Sequence, residues 1–369
     1  MKSFKLTGLR AMQLVDVPEP KLASPTDVLV RMGAVGVCGS DIHYFTTGRI
    51  GCQVVEYPFA VGHECAGTVA EVGSGVKHLR PGDRVAIEPA MTCGKCDQCL
   101  SGRENTCRHN RFLGCPGQAE GSLAELLVMP EENCFKIADA MSLCEATVSE
   151  PLAIAIYAVR RAGLQPGARV GILGLGPIGR TVQLAAVEAG SGTIFGTDLI
   201  EERCNAARDA RFDFVANPGR ENAVEAILKR EPRGLDAVFE CCGQQSALDD
   251  AVKLLRPGGT LAIIGIPEVE RISFDPETIR RRELTIINIR RQRGCVPTAL
   301  DLIARRQSDI RRLITHHVPF EASDEAFDLV ASYRDGVVKA MIDFESSVRE
   351  REVNESPELA CVSAPRRIV

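Results

Sequence analysis

Four closely spaced cysteines are the clearest sign of chemistry in this chain. Cys93, Cys96, Cys99 and Cys107 form a C-x2-C-x2-C-x7-C run. Four thiolates at these spacings can close a tetrahedral shell around one soft cation, which leaves no open position for a substrate. Two disulfides or a redox-active thiol set are the alternatives, but without an export signal a reducing compartment is expected. The spacing therefore predicts a structural zinc in a lobe at about residues 90–110.

A second set of candidate metal ligands consists of Cys38, His63, Glu64 and Glu150. A zinc ion with three protein ligands keeps one position open for water or an alcohol, as catalysis requires. Taken one at a time, these residues are weak evidence for a metal site. A buried cysteine usually packs as a small apolar residue, a histidine beside glycine often lies in a turn, and a glutamate before proline can end a strand. The set becomes a hypothesis only together with a cofactor site.

A glycine-rich motif supplies that cofactor site. The stretch Gly174-Leu175-Gly176-Pro177-Ile178-Gly179 follows the apolar run 170–173 and opens a helical pattern that extends to residue 189. Gly174 permits the tight turn, Gly176 lets the backbone approach a pyrophosphate, and Gly179 lets the helix pack on the strand. The negative phosphate would then lie at the positive end of the helix.

Asp198 indicates which dinucleotide binds. It lies 19 residues after Gly179, at the predicted end of the next strand. A carboxylate there can accept hydrogen bonds from the ribose hydroxyls and would repel a 2′-phosphate, so NAD is favoured over NADP. Arg203 could flank the adenosine or could be an ordinary surface cation.

The elements that must position these residues can be predicted from the pattern around them. Residues 168–288 alternate short β-branched runs with amphipathic stretches of helical length, which is typical of parallel strands joined by helices. With helices between the first five, the predicted strands are 170–173, 193–197, 214–216, 237–240, 261–264 and 284–287. This pattern predicts a complete doubly wound dinucleotide-binding fold.

The residues before this fold are rich in glycine, proline and short valine-containing runs, which predicts a β-rich, barrel-like domain. A helical stretch at 298–306 and a closing strand at 338–344 are expected to rejoin that domain. The predicted α/β organisation is a catalytic domain at 1–152, a nucleotide-binding domain at 153–290 and a return to the catalytic domain at 291–346. A polar tail at 347–369 is expected to be disordered.

Composition excludes several classes of function. The 369 residues are 45% apolar and 25% charged, as in a globular protein of two ordinary domains. The net charge of −5 gives no general attraction to nucleic acid. No stretch approaches the ~20 apolar residues of a membrane span. The sequence therefore predicts a cytoplasmic enzyme that acts on a small molecule, with neither a nucleic acid nor a membrane as partner.

Charge is uneven between Arg280 and Arg312, where ten arginines stand against three acidic residues. One interpretation is a solvated helix surface or a subunit contact. The other is that Arg290, Arg291 or Arg293 faces a substrate with negative charge, because guanidinium groups suit carboxylate and phosphate.

Taken together, these motifs resemble the zinc-dependent medium-chain alcohol dehydrogenases, and within them the sorbitol or polyol dehydrogenases. The similarity runs from about Lys5 to Phe344. It is carried by GVCGSDIHY at 36–44, GRIG at 48–51, GHE at 62–64, PGDRVA at 81–86, the four-cysteine lobe, SEPL at 149–152 and the motif at 174–179. The resemblance implies a GroES-like catalytic domain, a Rossmann domain, and a cleft between them for zinc and nicotinamide. It also implies a homo-oligomer, either a tetramer or a dimer.

The resemblance implies roles for the second ligand set. In the polyol branch, residues that match Cys38, His63 and Glu64 hold the catalytic zinc, and a glutamate that matches Glu150 binds it directly or through water. Other alcohol dehydrogenases have a cysteine at the position of Glu150. Replacing that soft ligand by a hard one should make the zinc a stronger Lewis acid.

The implied reaction is a hydride transfer. The zinc makes a substrate hydroxyl acidic, and the carbon that bears it passes a hydride to NAD. Ser40 and His43 look like the proton relay of the family. A turn-capping serine and a solvent-facing histidine are their plain alternatives.

Substrate residues are implied as well. Tyr44 and Phe112 match positions that line the polyol site, and Arg291 matches the substrate-binding arginine. The chain departs from the pattern at Gln292, where those enzymes usually have a tyrosine. An amide in place of a phenol, with more guanidinium nearby, argues against sorbitol itself and leaves room for another polyol, such as a xylitol-like one, a sugar acid or a phosphorylated sugar alcohol.

Two other functions compete with this interpretation. Threonine 3-dehydrogenase is similar in its Cys/His/Glu set and thiolate lobe, but the GRIG segment and the context of Arg291 favour the polyol branch. A non-catalytic NAD-binding protein could keep the same fold, but the ligand and relay positions all carry competent chemistry. The sequence therefore predicts an NAD-dependent oxidoreductase with two zinc ions per chain, one catalytic and one structural, that converts a polyol to a ketose.

Overall fold

The structure, a computed structural model, describes residues 1–344. The tail predicted at 347–369 lies outside the described residues. The N-terminal part contains these strands: β1 (Lys2–Gly8), β2 (Ala11–Asp16), β3 (Asp27–Gly36), β4 (Arg49–Ile50), β5 (Gln53–Val54), β6 (Glu64–Val72), β7 (Arg84–Ile87), β8 (Ala90–Met91), β9 (Arg111–Phe112), β10 (Leu126–Pro130) and β11 (Cys134–Lys136). Its helices are α1 (Gly39–Thr47), α2 (Asp97–Leu100) and α3 (Leu143–Thr147).

The remainder of the described chain is richer in helix. Its helices are α4 (Ser149–Ala162), α5 (Pro177–Glu188), α6 (Glu201–Arg208), α7 (Ala223–Arg230), α8 (Gln245–Leu254), α9 (Pro276–Arg281), α10 (Val296–Arg305), α11 (Gln307–Leu313) and α12 (Ser323–Ala331). Its strands are β12 (Arg169–Leu173), β13 (Thr193–Thr197), β14 (Phe214–Ala216), β15 (Leu235–Glu240), β16 (Leu255–Ile263), β17 (Thr285–Asn288), β18 (Ile314–Pro319) and β19 (Lys339–Asp343).

The larger sheet joins the two ends of the described chain. Its strands lie in the order β11, β7, β6, β3, β19, β18, and β10 pairs with the other half of β3. Strand β3 is antiparallel to both β6 and β19. Because β19 adds directly to β3, residues from the far end of the sequence reach the centre of the N-terminal domain.

The second sheet has six parallel strands in the order β14, β13, β12, β15, β16, β17. This is the strand order of a doubly wound dinucleotide-binding fold, with the order reversing between β12 and β15. The predicted fold class is confirmed. The helix prediction was incomplete, because the short helix α9, capped by the Asp275 carboxylate, also lies between β16 and β17.

Helix α4 connects the two sheets. It packs against α5 and α10 and also contacts β6 of the first sheet and β16 of the second. One apolar cluster therefore includes Ala34 and Ala66 as well as Val170 and Ile172. The first turn of α4 lies at this junction. Within residues 1–344, no helix has both the length and the apolar content that a membrane crossing requires.

Candidate active site

The candidate catalytic zinc site forms where β3 and β6 lie side by side. Gly36 at the end of β3 pairs with Glu64 at the start of β6, so the residues that flank this pair come together. One ligand atom from each of Cys38, His63 and Glu64 lies within 4.8 Å of the other two. His63 and Glu64 are buried, and Cys38 is half-buried. A thiolate, an imidazole and a carboxylate at this spacing fit one zinc ion.

Asp41, which sequence reasoning missed, orients this group. Its Oδ1 lies 3.3 Å from Nδ1 of His63, and its Oδ2 accepts a hydrogen bond from the backbone N–H of Cys38. Burial disfavours the imidazolium, but Asp41 and Cys38 together raise the pKa of His63 well above its ordinary value. A carboxylate behind a ligating imidazole fixes the ring orientation. The available signal was an acidic residue in the first turn of the helix that Cys38 begins.

Lys339 is the second residue that sequence reasoning missed. Its ammonium group forms an ion pair with the carboxylate of Glu64 and donates to the carbonyl oxygen of Val37 at 3.0 Å. Both charged side chains are only 2% exposed. Burial opposes the charged form, but Glu64 raises the pKa of Lys339 above its ordinary value. Gly36 leaves the necessary room, because a Cβ there would lie 2.9 Å from Cε of Lys339.

Glu150 lies beside this group. It is buried in the first turn of α4, where Pro151 is tolerated because early helical N–H groups have no intrahelical partner. Burial raises the pKa of Glu150 to about 8, and the charge of His63 opposes this shift. The carboxylate of Glu150 is not part of the donor group formed by Cys38, His63 and Glu64.

The two predicted relay residues lie on α1. Ser40 donates a hydrogen bond from Oγ to Sγ of Cys38 at 3.3 Å. His43 is three residues further along the helix, so both residues lie on one face. Its Nδ1 is 3.9 Å from the carboxylate of Glu268, and burial lowers the pKa of His43 below its ordinary value. The serine touches the donor group, and the histidine reaches toward a largely exposed carboxylate.

The three predicted substrate residues, called the substrate wall below, lie near one another: Arg291 contacts Phe112, and its charge acts on Tyr44. The rings of Phe112 and His63 are 5.3 Å apart, and the guanidinium carbon of Arg291 lies 3.7 Å from the centre of the Phe112 ring. Burial lowers the pKa of Arg291 to about 10. Tyr44 is buried, and desolvation together with Cys115 raises its pKa above the ordinary value.

Other polar groups at this wall were not predicted. The hydroxyl of Tyr44 donates to Oε1 of Gln53 at 3.4 Å, and Nε2 of Gln53 donates to Sγ of Cys115 at 2.7 Å. Gln292, which departs from the family pattern, donates to the Glu88 carboxylate. Burial raises the pKa of Glu88 to about 7. The side-chain amide of Gln292 therefore links the loop that carries Arg291 to the N-terminal domain. No short sequence motif predicts this contact.

The glycine-rich turn has the geometry that a dinucleotide requires. Gly174 has φ +95°, in the left-handed region that favours glycine. A Cβ at Gly179 would collide with the carbonyl oxygen of Gly174. Helix α5 starts at Pro177 with Gly176 as its N-cap, so the first helical N–H groups, beginning at Ile178, remain available for an anion.

Asp198 and Arg203 flank this turn. The Asp198 carboxylate accepts hydrogen bonds from the backbone N–H groups of Leu175 at 2.7 Å and Ile200 at 2.8 Å. The Asp198 carboxylate therefore holds the glycine-rich turn in place. It is also the group that the sequence predicts to bind the adenosine ribose. Arg203 lies close to Gly176, where a Cβ would come within 3.3 Å of Nη1. Their contacts with the adenosine half of a cofactor stay predictions.

The four-cysteine lobe brings its sulfur atoms together. Neighbouring pairs among Cys93, Cys96, Cys99 and Cys107 lie 3.5 to 4.0 Å apart, whereas a disulfide needs about 2.05 Å. A hydrogen bond from the backbone N–H of Arg108 helps to lower the pKa of Cys96 to about 6. Burial and the adjacent thiols raise the pKa of Cys99 to about 12. Deprotonated thiols this close together repel one another, and a bound cation would relieve that repulsion. The donor set therefore fits a structural zinc.

The lobe also holds the loop that carries Arg291. Nδ2 of Asn105 donates to the carbonyl oxygen of Arg290 at 3.0 Å and to the hydroxyl of Tyr157 on α4 at 3.3 Å. The side chain of Arg293 lies 3.6 Å from where a Cβ of Gly102 would be. A disordered lobe would therefore release part of the substrate wall.

Cys99→Ser is expected to lower the stability of the chain more than it lowers turnover. Losing one of four thiolates should release about one zinc equivalent and lower the midpoint of thermal unfolding on the order of 10 °C, because structural zinc binding is folding free energy. Metal analysis and scanning calorimetry measure both quantities. Cys52→Ser, at an exposed cysteine outside the lobe, is the matched control. Lost turnover with unchanged zinc content and stability would contradict the structural role.

A third group with similar donors lies on the larger sheet. The Cys144 thiol donates to Oδ1 of Asp343 at 3.0 Å, and Nδ1 of His317 lies 2.8 Å from Oδ2 of the same carboxylate. His317 is exposed. The carboxylate lies between the other two residues and satisfies them both by hydrogen bonding, so this group does not enter the predicted zinc count.

The chain matches the alcohol dehydrogenase GroES-like domain family at residues 24–139 and the zinc-binding dehydrogenase family at residues 177–305. It is 36% identical over 343 residues to the sorbitol dehydrogenase of Bacillus subtilis, which covers 93% of this chain and 97% of the relative. It is 37% identical over 334 residues to L-idonate 5-dehydrogenase of Vitis vinifera, covering 88% and 90%. Among solved structures it is similar to galactitol-1-phosphate dehydrogenase from Escherichia coli, with a TM-score of 0.85 and 26% identity over 93% of this chain and 100% of that one.

A GroES-like domain joined to a Rossmann domain, with a Cys/His/Glu group and a thiolate lobe, defines a zinc-binding dehydrogenase. The chain belongs to the zinc-dependent medium-chain alcohol dehydrogenases, in their polyol dehydrogenase branch. The predicted family, enzyme class and cofactor types, zinc and a nicotinamide dinucleotide, are thereby confirmed. The roles of individual site residues and the domain limits remain predictions.

Proposed function

We propose that this chain oxidises a secondary alcohol of a sorbitol- or xylitol-like polyol to a ketose, with NAD as the hydride acceptor. The observation that carries the proposal is the donor group of Cys38, His63 and Glu64, with ligand atoms within 4.8 Å of one another. Relatives named for sorbitol and xylulose, at 35 to 36% identity, support a polyol substrate.

Cys38, His63 and Glu64 would hold the catalytic zinc, with Glu150 beside it to bind the ion or a water. A zinc ion held there supplies Lewis acidity, which makes an alcohol more acidic. The remaining work is done by the protein. Asp41 holds the His63 ring in one orientation. Lys339 offsets the charge of Glu64, which lowers the electrostatic cost of placing two carboxylates near one another.

Ser40 and His43 would carry the alcohol proton toward solvent. The Ser40 hydroxyl already contacts the donor group, and a hydroxyl can pass a proton in either direction. Because burial lowers the pKa of His43, its imidazole is neutral near pH 7 and can accept that proton. The side chain of His43 is 22% exposed, which gives the proton a way out.

The cofactor would bind along the glycine-rich turn. The free N–H groups at the start of α5 suit the pyrophosphate. Asp198 would accept hydrogen bonds from the adenosine ribose, and its charge disfavours the 2′-phosphate of NADP. Arg203 lies beside Gly176 and would contact the adenosine half.

Asp198→Asn is expected to relax the cofactor preference. Asparagine keeps an oxygen that can accept from Leu175, as the carboxylate does, but it removes the charge that repels a phosphate. The ratio of kcat/KM for NADP to that for NAD should rise roughly 10- to 100-fold, about 1–3 kcal/mol. Steady-state kinetics with both cofactors measure this ratio. Asp198→Ala serves as a comparison that loses the anchor too, and an unaltered ratio in both variants would remove Asp198 from the ribose site.

The substrate wall suits a hydroxyl-rich molecule. Tyr44, Gln53 and Cys115 form a chain of hydrogen-bonding groups, and Arg291 offers donors that face Phe112. Donors and acceptors of this kind can pair with several hydroxyls of one polyol.

A sugar acid is the second candidate substrate. Arg291 favours it, because its guanidinium is largely desolvated and within residues 1–344 forms no ion pair with a carboxylate. Such a group binds a carboxylate strongly. The similarity to an enzyme named for L-idonate supports the same possibility.

An assay of NAD reduction separates these candidates. The zinc-replete chain should reduce NAD with sorbitol or xylitol, and analysis should find two zinc ions per chain. Higher kcat/KM with L-idonate would establish the sugar acid, and turnover with galactitol 1-phosphate or L-threonine alone would establish another specificity. Arg291→Gln should then raise KM about 10- to 100-fold, most for a charged substrate. Arg290→Gln is the neighbouring control. NAD binding without turnover on any of these compounds would refute the proposal.

We propose in addition that the chain forms a homotetramer or homodimer in the cytoplasm. Support for a reducing compartment comes from the cysteines, since none of the 14 within residues 1–344 forms a disulfide. Light scattering at several protein concentrations measures the oligomer, and a monomer at micromolar concentration would contradict it.

A further inference from the structure

A charged cavity lies apart from the candidate active site. It has a volume of about 230 Å³ and opens between α5, the segment after α6, and α11. Its lining residues are Arg180, Gln183, Leu184, Val187, Asp209, Ala210, Arg211, Arg306, Asp309, Arg312 and Leu313. None of the proposed zinc, cofactor or substrate residues is among them.

The cavity follows α5 away from the glycine-rich turn, from Arg180 in the first turn of the helix to Val187 near its end. The glycine-rich turn and Asp198 follow the carboxyl ends of β12 and β13, where dinucleotides bind in such folds. Residues 209–211 instead lead into the start of β14, at the amino edge. A ligand of this cavity would therefore be distinct from the proposed cofactor.

The charges in the cavity are unusual because they are unpaired. Four arginines and two aspartates line it. Within residues 1–344, the side chains of Arg180, Arg211, Arg312, Asp209 and Asp309 form no hydrogen bond and no ion pair. In the described part of the chain, the one acidic group that Arg306 pairs with is Glu188, at 4.0 Å. Opposite charges therefore face one cavity without closing on one another, and a net excess of two positive charges remains.

Arg180 is the buried floor of this cavity. It is only 5% exposed, and no residue in the described range 1–344 offers its Nε an acceptor. Desolvation lowers the pKa of Arg180 below its ordinary value, although Asp309 opposes the shift. A buried guanidinium without a partner is costly, whereas an anion that entered the cavity would satisfy it. The exposed residues Arg211 and Arg312 stand at the mouth.

We propose that this cavity binds a phosphate group, either as inorganic phosphate or as the phosphate of a small organic monoester. Guanidinium groups match phosphate oxygens in pairs. A phosphate monoester carries roughly −1.5 to −2 charge at pH 7, which balances the excess of the lining. The volume leaves room for a small organic part, whose hydroxyls Asp209, Asp309 and Gln183 could contact.

Titration calorimetry on the full, zinc-replete chain tests this proposal. Saturating NAD keeps the probes away from the glycine-rich turn, and ionic strength is held constant with chloride. Inorganic phosphate and ethyl phosphate distinguish the two sources, and acetate reports on carboxylates. We expect one phosphate site per chain, and Arg211→Gln and Arg312→Gln should each weaken it about tenfold or more. Arg31→Gln, at an exposed arginine of β3, should leave it unchanged.

Arg180→Met provides a second readout that does not depend on the surface arginines. In phosphate-free buffer this variant should unfold at the same or a higher temperature than the unaltered chain, because a buried unpaired charge is removed. Phosphate should raise the unfolding temperature of the unaltered chain but not of the variant. Absent binding, tighter binding of acetate, or phosphate binding unaffected by all three substitutions would overturn the proposal.

Discussion

Cys38→Ser is expected to abolish turnover while NAD still binds. Serine keeps the size of the side chain but offers zinc a neutral hydroxyl in place of a thiolate. Losing Lewis acidity worth several kcal/mol should reduce kcat by roughly 10³-fold or more. The glycine-rich turn lies on another domain, so the dissociation constant for NAD should change by less than about threefold. Kinetics and fluorescence titration of NADH measure the two effects.

Cys65→Ser is the matched control for this prediction. Cys65 is a buried thiol on the same strand as Glu64, but it lies outside the donor group. Its substitution should lower stability slightly and keep turnover within a few-fold. A Cys38→Ser chain that kept both its turnover and two zinc ions would show that Cys38 is not a ligand.

Lys339→Met is expected to have the largest effect on stability. It removes the cation that pairs with Glu64 in a site where both side chains are 2% exposed. In the zinc-free chain this leaves the buried charge of Glu64 uncompensated, which typically destabilises by about 3–5 kcal/mol. Chemical denaturation should therefore shift strongly toward lower denaturant. Turnover should fall as well, since the Glu64 carboxylate loses the partner that holds it.

Two further variants identify the cause of the expected loss of stability. Lys229→Met breaks an exposed ion pair with Glu225 on α7, and surface pairs of this kind contribute roughly 0.3–0.5 kcal/mol. Adding Glu64→Gln to Lys339→Met removes the buried charge itself, so much of the stability should return. If the double variant were no more stable than Lys339→Met, lost packing and not an unpaired charge would be responsible.

The features that sequence predicted best are local ones. The glycine-rich turn, the four-cysteine lobe and the parallel strands are each specified within a few consecutive residues, and the structure has them close to the predicted positions. Cys38 and His63 could be grouped only by joining them to the cofactor site and, after that, through the family resemblance. In the structure, the reason they meet is the register that sets Gly36 against Glu64.

The features that were missed depend on contacts between distant segments. Lys339 is 302 residues from Val37, whose carbonyl it binds, and a single lysine on a closing strand gives no signal. The link between Gln292 and Glu88 likewise joins two segments that are 204 residues apart in the sequence. The start of β16 was missed for another reason. Pro257, Gly258 and Gly259 are typical turn residues, yet the strand begins at Leu255 and continues through them.

The arginine-rich segment shows that one composition can serve several purposes. Arg281 pairs with Glu277 on a helix surface, as the plainer interpretation expected. Arg291 instead stacks on Phe112, and Arg306 and Arg312 line the charged cavity. Charge density along the sequence could not separate these roles, because each depends on what the fold places opposite the guanidinium.

The most direct test of hydride transfer between a polyol and NAD uses a deuterium label. Sorbitol deuterated at all of its secondary carbons, or the correspondingly labelled form of the best polyol in the assay, is incubated with NAD and the zinc-replete chain. Proton NMR of the product should show one deuterium at C4 of the nicotinamide in each NADH, together with one ketose per NADH. Unlabelled NADH, or no NADH from any polyol while two zinc ions are bound, would contradict the proposed reaction.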